Sequence, residues 1–202
     1  MLERFRQFWT RLLSPIANTL LRWGVSPDAV TFVGTVGVSA GALVFFPVGR
    51  LWLGVVVIAV FVFSDLIDGY MARTSGHSSR WGAFLDSTLD RVGDASIFGG
   101  LLLWFTGGGD DRVLACVCLW CLVMGSVTSY ARAKAESLGM QAKGGIAERA
   151  DRLTAILVMT FFSDVLDLPI LLTITLWALA AASGITVVQR MILVRRQAFV
   201  DP

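Results

Sequence analysis

The stretch LWLGVVVIAVFVF, residues 51–63, carries no charge, and apolar runs approaching twenty residues recur along the chain. Runs of that kind constrain the fold strongly, because about 20 residues at a helical rise of ~1.5 Å span the ~30 Å hydrocarbon core of a bilayer. A hydrophobic share of 55% over 202 residues and a mean hydropathy of +0.71 exceed what a soluble domain of this size needs. The expected fold class is an all-α integral membrane protein. Six spans are drawn, at 28–48, 51–73, 82–105, 112–134, 149–164 and 168–193, with turns such as FPVGR, TGGGDDR and DVLDLP between them. Before them, Arg4, Arg6, Arg11 and Arg22 are spread among Leu, Phe and Trp. The apolar residues there return every three or four positions, which reads as an amphipathic helix lying in the membrane interface rather than a cleavable signal peptide. The expected organisation is an interfacial helix over 1–24 and a six-helix transmembrane domain over 25–202. No internal repeat is visible, which weakens a transporter reading.

The charges orient the bundle. Placing both termini and the 74–81 and 135–148 links on one side, with the adjoining span ends, gathers 15 of the 17 Lys and Arg there and leaves Arg50 and Arg112 opposite. The positive-inside rule makes the crowded side cytoplasmic. A multi-pass protein of the cell membrane is expected, with both termini cytoplasmic and no nucleic-acid partner. His77, the only histidine, reads as a solvated loop residue. Cys116, Cys118 and Cys121 lie in an apolar run and read as small core side chains, since thiolate ligands in hydrocarbon would be costly and residues two apart diverge on a helix.

Against this background the acids in SDLIDGYMARTSGHSSRWGAFLDSTLDR, residues 64–91, stand out. Asp65 and Asp68 are three apart and Asp86 and Asp90 four apart, so each pair shares a helix face. Two neighbouring helices could bring all four carboxylates together at the cytoplasmic side. Four such charges repel unless neutralised, and hard divalent cations do this with oxygen ligands. Two ions ~3.5–4 Å apart would clamp a phosphoryl group and its leaving oxygen. Gly69, Ala72 and Gly82 are small enough to let helices or a ligand approach closely, and Arg73 could hold a diphosphate. Ser26 and Pro27 read as the cap and first residue of a helix, leaving the backbone N–H groups of Asp28, Ala29, Val30 and Thr31 partly free for an anionic or polar ligand.

The pattern Asp65-x2-Asp68-Gly69-x2-Ala72-Arg73-x8-Gly82-x3-Asp86-x3-Asp90 resembles the signature of the CDP-alcohol phosphotransferases, with every position filled at the expected spacing. The resemblance implies transfer of a substituted phosphate from a CDP-linked donor to an alcohol, with release of CMP. It implies that Asp65, Asp68 and Asp86 hold one ion and Asp65, Asp86 and Asp90 the other, as Mg²⁺ or Mn²⁺. It makes Asp90 also the catalytic base. Gly69, Arg73 and Gly82 would line the CDP-lipid site, with Ala72, Ser79 and the 28–31 segment alongside. A homodimer is likewise implied.

The acceptor is read from the cations. Lys134, Arg152 and Arg190 lie near span ends, and three converging cations suit a phosphate dianion, so a phosphorylated acceptor is expected. The stretch SYARAKAESLGMQAKGGIAERADR resembles the matching region of actinobacterial phosphatidylinositol phosphate synthases. That resemblance implies CDP-diacylglycerol and inositol phosphate as substrates, with Lys134, Arg152 and Arg190 or Arg195 on the acceptor phosphate. The alternative acceptor is glycerol 3-phosphate, as in phosphatidylglycerophosphate synthases. Two readings from other classes, a divalent-cation transporter and a non-catalytic scaffold, are separated from the enzyme by Asp90→Asn: an enzyme loses turnover, a transporter loses metal flux and a scaffold tolerates the change.

Overall fold

The computed structural model describes residues 14–62, 67, 69–71, 74 and 79–200. Asp65, Asp68, Ala72, Arg73 and His77, with Arg4, Arg6 and Arg11, lie outside these. Six long helices run among the described residues: α1 (Pro27–Phe45), α2 (Leu51–Val62), α3 (Arg80–Thr106), α4 (Arg112–Ser137), α5 (Arg149–Val165) and α6 (Pro169–Val200). They fall on the six segments that the hydropathy pattern marks out. Three of them, α1, α4 and α6, are long and apolar enough to cross a membrane. A further helical stretch covers 14–22, the described end of the expected interfacial helix.

The helix starts are written in local chemistry. Ser26 accepts a hydrogen bond from Ala29 N at 3.2 Å with Pro27 at the first helical position. Ser79 does the same for Gly82 N at 2.9 Å, and Asp111 for Leu114 N at 2.9 Å. Helix α2 has no such residue of its own. Its Trp52 N–H instead donates to Asp164 Oδ2 at 2.7 Å, from the end of α5.

Packing closes the helices into a ring. In spatial order the neighbours are α1, α2, α5, α6, α4, α3 and then α1 again. Small residues set the tightest contacts. A Cβ on Gly100 would lie 2.6 Å from the Ala42 carbonyl oxygen, and one on Gly54 would lie 2.8 Å from that of Gly41, so α1 meets both neighbours backbone to backbone. The core holds Phe46, Ile58, Ile97, Leu101, Cys118, Cys121, Ile156 and Leu176, together with fully buried Thr160, Ser183 and Thr186. Outside, Phe32, Val36, Val60, Ile174, Trp177 and Val188 are exposed. A shell more apolar than a soluble surface tolerates, around an interior that admits hydroxyls and charge, is what a lipid solvent selects.

Candidate active site

One end of the ring gathers the starts of α1, α3 and α5 with the ends of α4 and α6. At the α1–α3 corner, a Cβ on Gly82 would lie 3.3 Å from Ser79 Oγ and 3.5 Å from Asp28 Oδ1. Three residues expected at a CDP-lipid site, Asp28, Ser79 and Gly82, therefore meet in one place. Thr31 is buried on the same helix, its hydroxyl donating to the Pro27 carbonyl at 3.1 Å. Ala29 is exposed, and Val30 and Gly69 are half-buried.

Farther along α3, Asp86 is exposed and Asp90 half-buried, one turn apart. Asp94 continues the stripe another turn inward and is only 8% exposed. Arg149, the first residue of α5, reaches across to both deeper acids: its Nη2 lies 2.9 Å from Asp90 Oδ1 and its Nε 3.0 Å from Asp94 Oδ1. Arg91 sits 3.7 Å from Asp90 Oδ2 and from Asp94 Oδ2.

Asp90 also lines a cavity of about 480 Å³ whose other walls carry Arg132, Arg149, Arg152 and Arg190, with Ser87, Arg91, Thr128, Ser129, Glu136 and Glu148. These cations are not equivalent. Arg132 is paired with Glu136 at 3.0 Å, and Arg149 and Arg91 are paired with the α3 acids. Arg152 and Arg190 are 2% and 5% exposed, and among the described residues neither has a carboxylate within ion-pair distance. They rest on backbone carbonyls instead. Arg152 Nη1 donates to Ala147 O at 3.0 Å. Arg190 donates from Nη1 to Thr128 O at 2.6 Å and from Nε to Gly144 O at 3.1 Å. Carbonyl dipoles orient a guanidinium without cancelling its charge, so two buried cations line the cavity with no carboxylate in direct contact among the described residues.

The link between α4 and α5 is fastened to make this possible. Gly144 and Gly145 take φ of +96° and +133°, and a Cβ on Gly145 would collide with the Thr186 side chain. Thr186 Oγ1 accepts from Ala147 N at 3.2 Å. The Gln197 amide accepts from Gln141 N at 2.8 Å and donates to Gln141 O at 2.6 Å. On α4, Gly125 leaves room for Arg152, whose Nη2 would be 3.4 Å from a Cβ there.

Of the residues expected on the acceptor phosphate, Arg152 and Arg190 converge on the cavity. Lys134 is exposed near the end of α4 and does not line it. Arg195 is also exposed and borders a separate surface pocket with Ile192, Arg196 and Phe199. Of the expected metal ligands, Asp86 and Asp90 are described, and Asp65 and Asp68 lie outside the described residues, as do Ala72 and Arg73. Sequence reasoning overlooked Asp94 and gave Arg91, Arg132 and Arg149 no place among the site residues. Asp94 carried a signal, since Asp86, Asp90 and Asp94 repeat at intervals of four.

A family model described as CDP-alcohol phosphatidyltransferase matches residues 24–182. The phosphatidylinositol phosphate synthase of Streptomyces avermitilis is 52% identical, over 98% of this chain and 84% of its own length. That of Cutibacterium acnes is 50% identical, over 97% and 98%. Among solved structures, the Mycobacterium tuberculosis phosphatidylinositol phosphate synthase with CDP-DAG bound superposes with a TM-score of 0.88 at 45% identity, covering 91% of this chain and 94% of that one. The same enzyme in complex with manganese and citrate gives 0.87 at 44%, covering 91% and 88%.

Proposed function

The chain belongs to the CDP-alcohol phosphatidyltransferase family, and from that premise we propose that it transfers the phosphatidyl group of CDP-diacylglycerol to inositol phosphate, releasing CMP. The observation that carries the choice of acceptor is the pair of buried guanidiniums, Arg152 and Arg190, which line one cavity with Asp90 and have no direct ion pair among the described residues. A phosphate dianion is the ligand that neutralises both. The names of the relatives favour inositol phosphate over glycerol 3-phosphate.

In this reading the acceptor phosphate anchors on Arg152 and Arg190 and turns a ring hydroxyl toward Asp90. Asp90 accepts the hydroxyl proton as the oxygen attacks the phosphatidyl phosphorus, and the bond to the CMP phosphate breaks. Asp28, Ala29, Val30, Thr31, Gly69, Ala72, Arg73, Ser79 and Gly82 are assigned to the CDP-lipid. The convergence of Asp28, Ser79 and Gly82 at one corner supports that assignment. An apolar groove of about 350 Å³ between α1 and α3, bordered by Phe32, Val36, Leu43, Leu89 and Val92, lies open to acyl chains from the side.

Two divalent cations, Mg²⁺ or Mn²⁺, are proposed on Asp65, Asp68, Asp86 and Asp90. The described donors fit: they are carboxylate oxygens one turn apart, and Asp90 keeps lone pairs beyond those facing Arg149 and Arg91. When bound, such ions would stabilise the diphosphate and the departing CMP. A relative's complex with manganese supports the class of ion. Six spans, an interfacial helix over 1–24, a transmembrane domain over 25–202, a cytoplasmic site and termini in the cell membrane, and a homodimer complete the proposal. The apolar outer shell and the exposed Trp81 and Phe84 at the start of α3 support the placement in a bilayer.

The test is CMP release by purified protein in detergent with CDP-diacylglycerol and Mg²⁺ or Mn²⁺, offering inositol phosphate, glycerol 3-phosphate and free inositol separately. Turnover confined to inositol phosphate is expected. Preference for glycerol 3-phosphate would move the acceptor, and silence with every alcohol from folded protein would reject the reaction.

A further inference from the structure

Asp90, Arg149, Asp94 and Arg91 form a closed circuit of alternating charge. Each oxygen of each carboxylate faces a guanidinium nitrogen: Oδ1 of Asp90 and Oδ1 of Asp94 face Arg149, and Oδ2 of each faces Arg91. Three members stand on α3 and the fourth opens α5. The two contacts of Arg149 are short, at 2.9 Å and 3.0 Å, and come from different nitrogens of one planar group. A rigid fork held at two points fixes the direction of what it holds. Asp94 is nearly buried and does not line the cavity, so it has no direct route to a substrate there.

We propose that Asp94 is a positioning residue for the reaction: through Arg149 and Arg91 it fixes the Asp90 carboxylate and ties the cation-bearing start of α5 to α3. Arg149 precedes Arg152 by three residues on the same helix. The circuit therefore sets the distance between the group that takes the proton and a group that holds the acceptor phosphate. Removing the Asp94 charge frees one arm of the fork, and Asp90 loses its orientation while keeping its neighbour.

This inference rests on the proposed reaction, and the wild-type assay separates the two. Wild-type CMP release with inositol phosphate leaves the reaction standing whatever the variants do. Asp94→Asn and Arg149→Lys would be purified in detergent and assayed for kcat, for KM of donor and acceptor, and for thermal midpoint and elution volume. Both are expected to lose kcat by about 10-fold or more while the donor KM stays within about twofold. The double variant is expected to lose little more than the worse single one, because both break the same circuit. Asp94→Glu, which keeps the charge, is expected to recover part of the loss. Wild-type kcat per folded molecule in Asp94→Asn would overturn the proposal. Should Asp94→Asn fail to fold, Arg149→Lys decides: it keeps the charge at the start of α5 but lacks the fork, and wild-type kcat there would count equally against it.

Discussion

A guanidinium kept out of water without a direct ion pair is expensive, and among the described residues two of them line the cavity that holds the candidate base. Such a cost persists where a ligand supplies the missing charge. Replacing Arg190 with Ala is expected to raise the KM for the acceptor at least about 30-fold, on the scale of ~2 kcal/mol for a lost buried charge pair. The donor KM should stay unchanged, and equal effects on both would place Arg190 outside the acceptor site. Gly125→Leu offers a second route to the same site, because its side chain would occupy the space of the Arg152 guanidinium. A rise in acceptor KM with a folded protein is the expected outcome. At this scale the shared face of Asp86 and Asp90 was legible, because helical spacing alone sets it. The partner of Asp94 was not, because Arg149 lies 55 residues away in sequence and only the tertiary fold brings it near. Nor could spacing distinguish Arg152 and Arg190, which turn inward, from Lys134 and Arg195, which stay outside: all four stand near the ends of the expected spans.

Among the elements, α3 carries the chemistry and its neighbours hold it in place. Its first turn is capped by Ser79, its next three turns present Asp86, Asp90 and Asp94, and Gly100 lets it lie against α1 backbone to backbone. Gly100→Val is expected to push the two helices apart and lower stability by about 1–3 kcal/mol, seen as a fall in the thermal midpoint. Asp164→Ala removes the acceptor at the start of α2 and is expected to cost ~1 kcal/mol. Because that contact lies at the far end of the bundle from Asp90, kcat per folded molecule should stay at the wild-type value. The starts of α1 and α3 could be read from Ser-Pro-Asp and from Ser79. The start of α2 at Leu51 also matched its expected position, but its cap could not be read, since it is borrowed from α5 across 112 residues of chain. Helix α6 also outran its expected end at 193. At 32 residues it measures ~48 Å, well beyond a ~30 Å hydrocarbon core. Hydropathy marks where the apolar stretch stops, whereas the hydrogen-bonded helix continues through Arg195 and Arg196 and gives Gln197 its hold on the α4–α5 link.

For the molecule as a whole, the expected orientation has a direct readout. Alkaline phosphatase, which folds only outside the cytoplasm, should be active when inserted in the turn at 107–111 and inactive when fused after residue 202. The reverse pattern would invert the proposed topology. Six helical segments were legible because the length of an apolar run is a property of the chain itself. The ring order was not, because nothing in a run of valines and leucines says which helix it will meet. That order divides the bundle into two families of contacts. Helices α1 to α3 pack on one another through α1, and α4 to α6 through α6, so each half can assemble from its own stretch of chain. The carboxylates stand on the first half, and Arg152 and Arg190 stand on the second. A nascent chain that has completed only its first half thus owns acids but no pocket for a phosphorylated alcohol. The proposed acceptor site therefore exists only once the two halves have met, because its walls come from α3 on one side and from α4, α5 and α6 on the other.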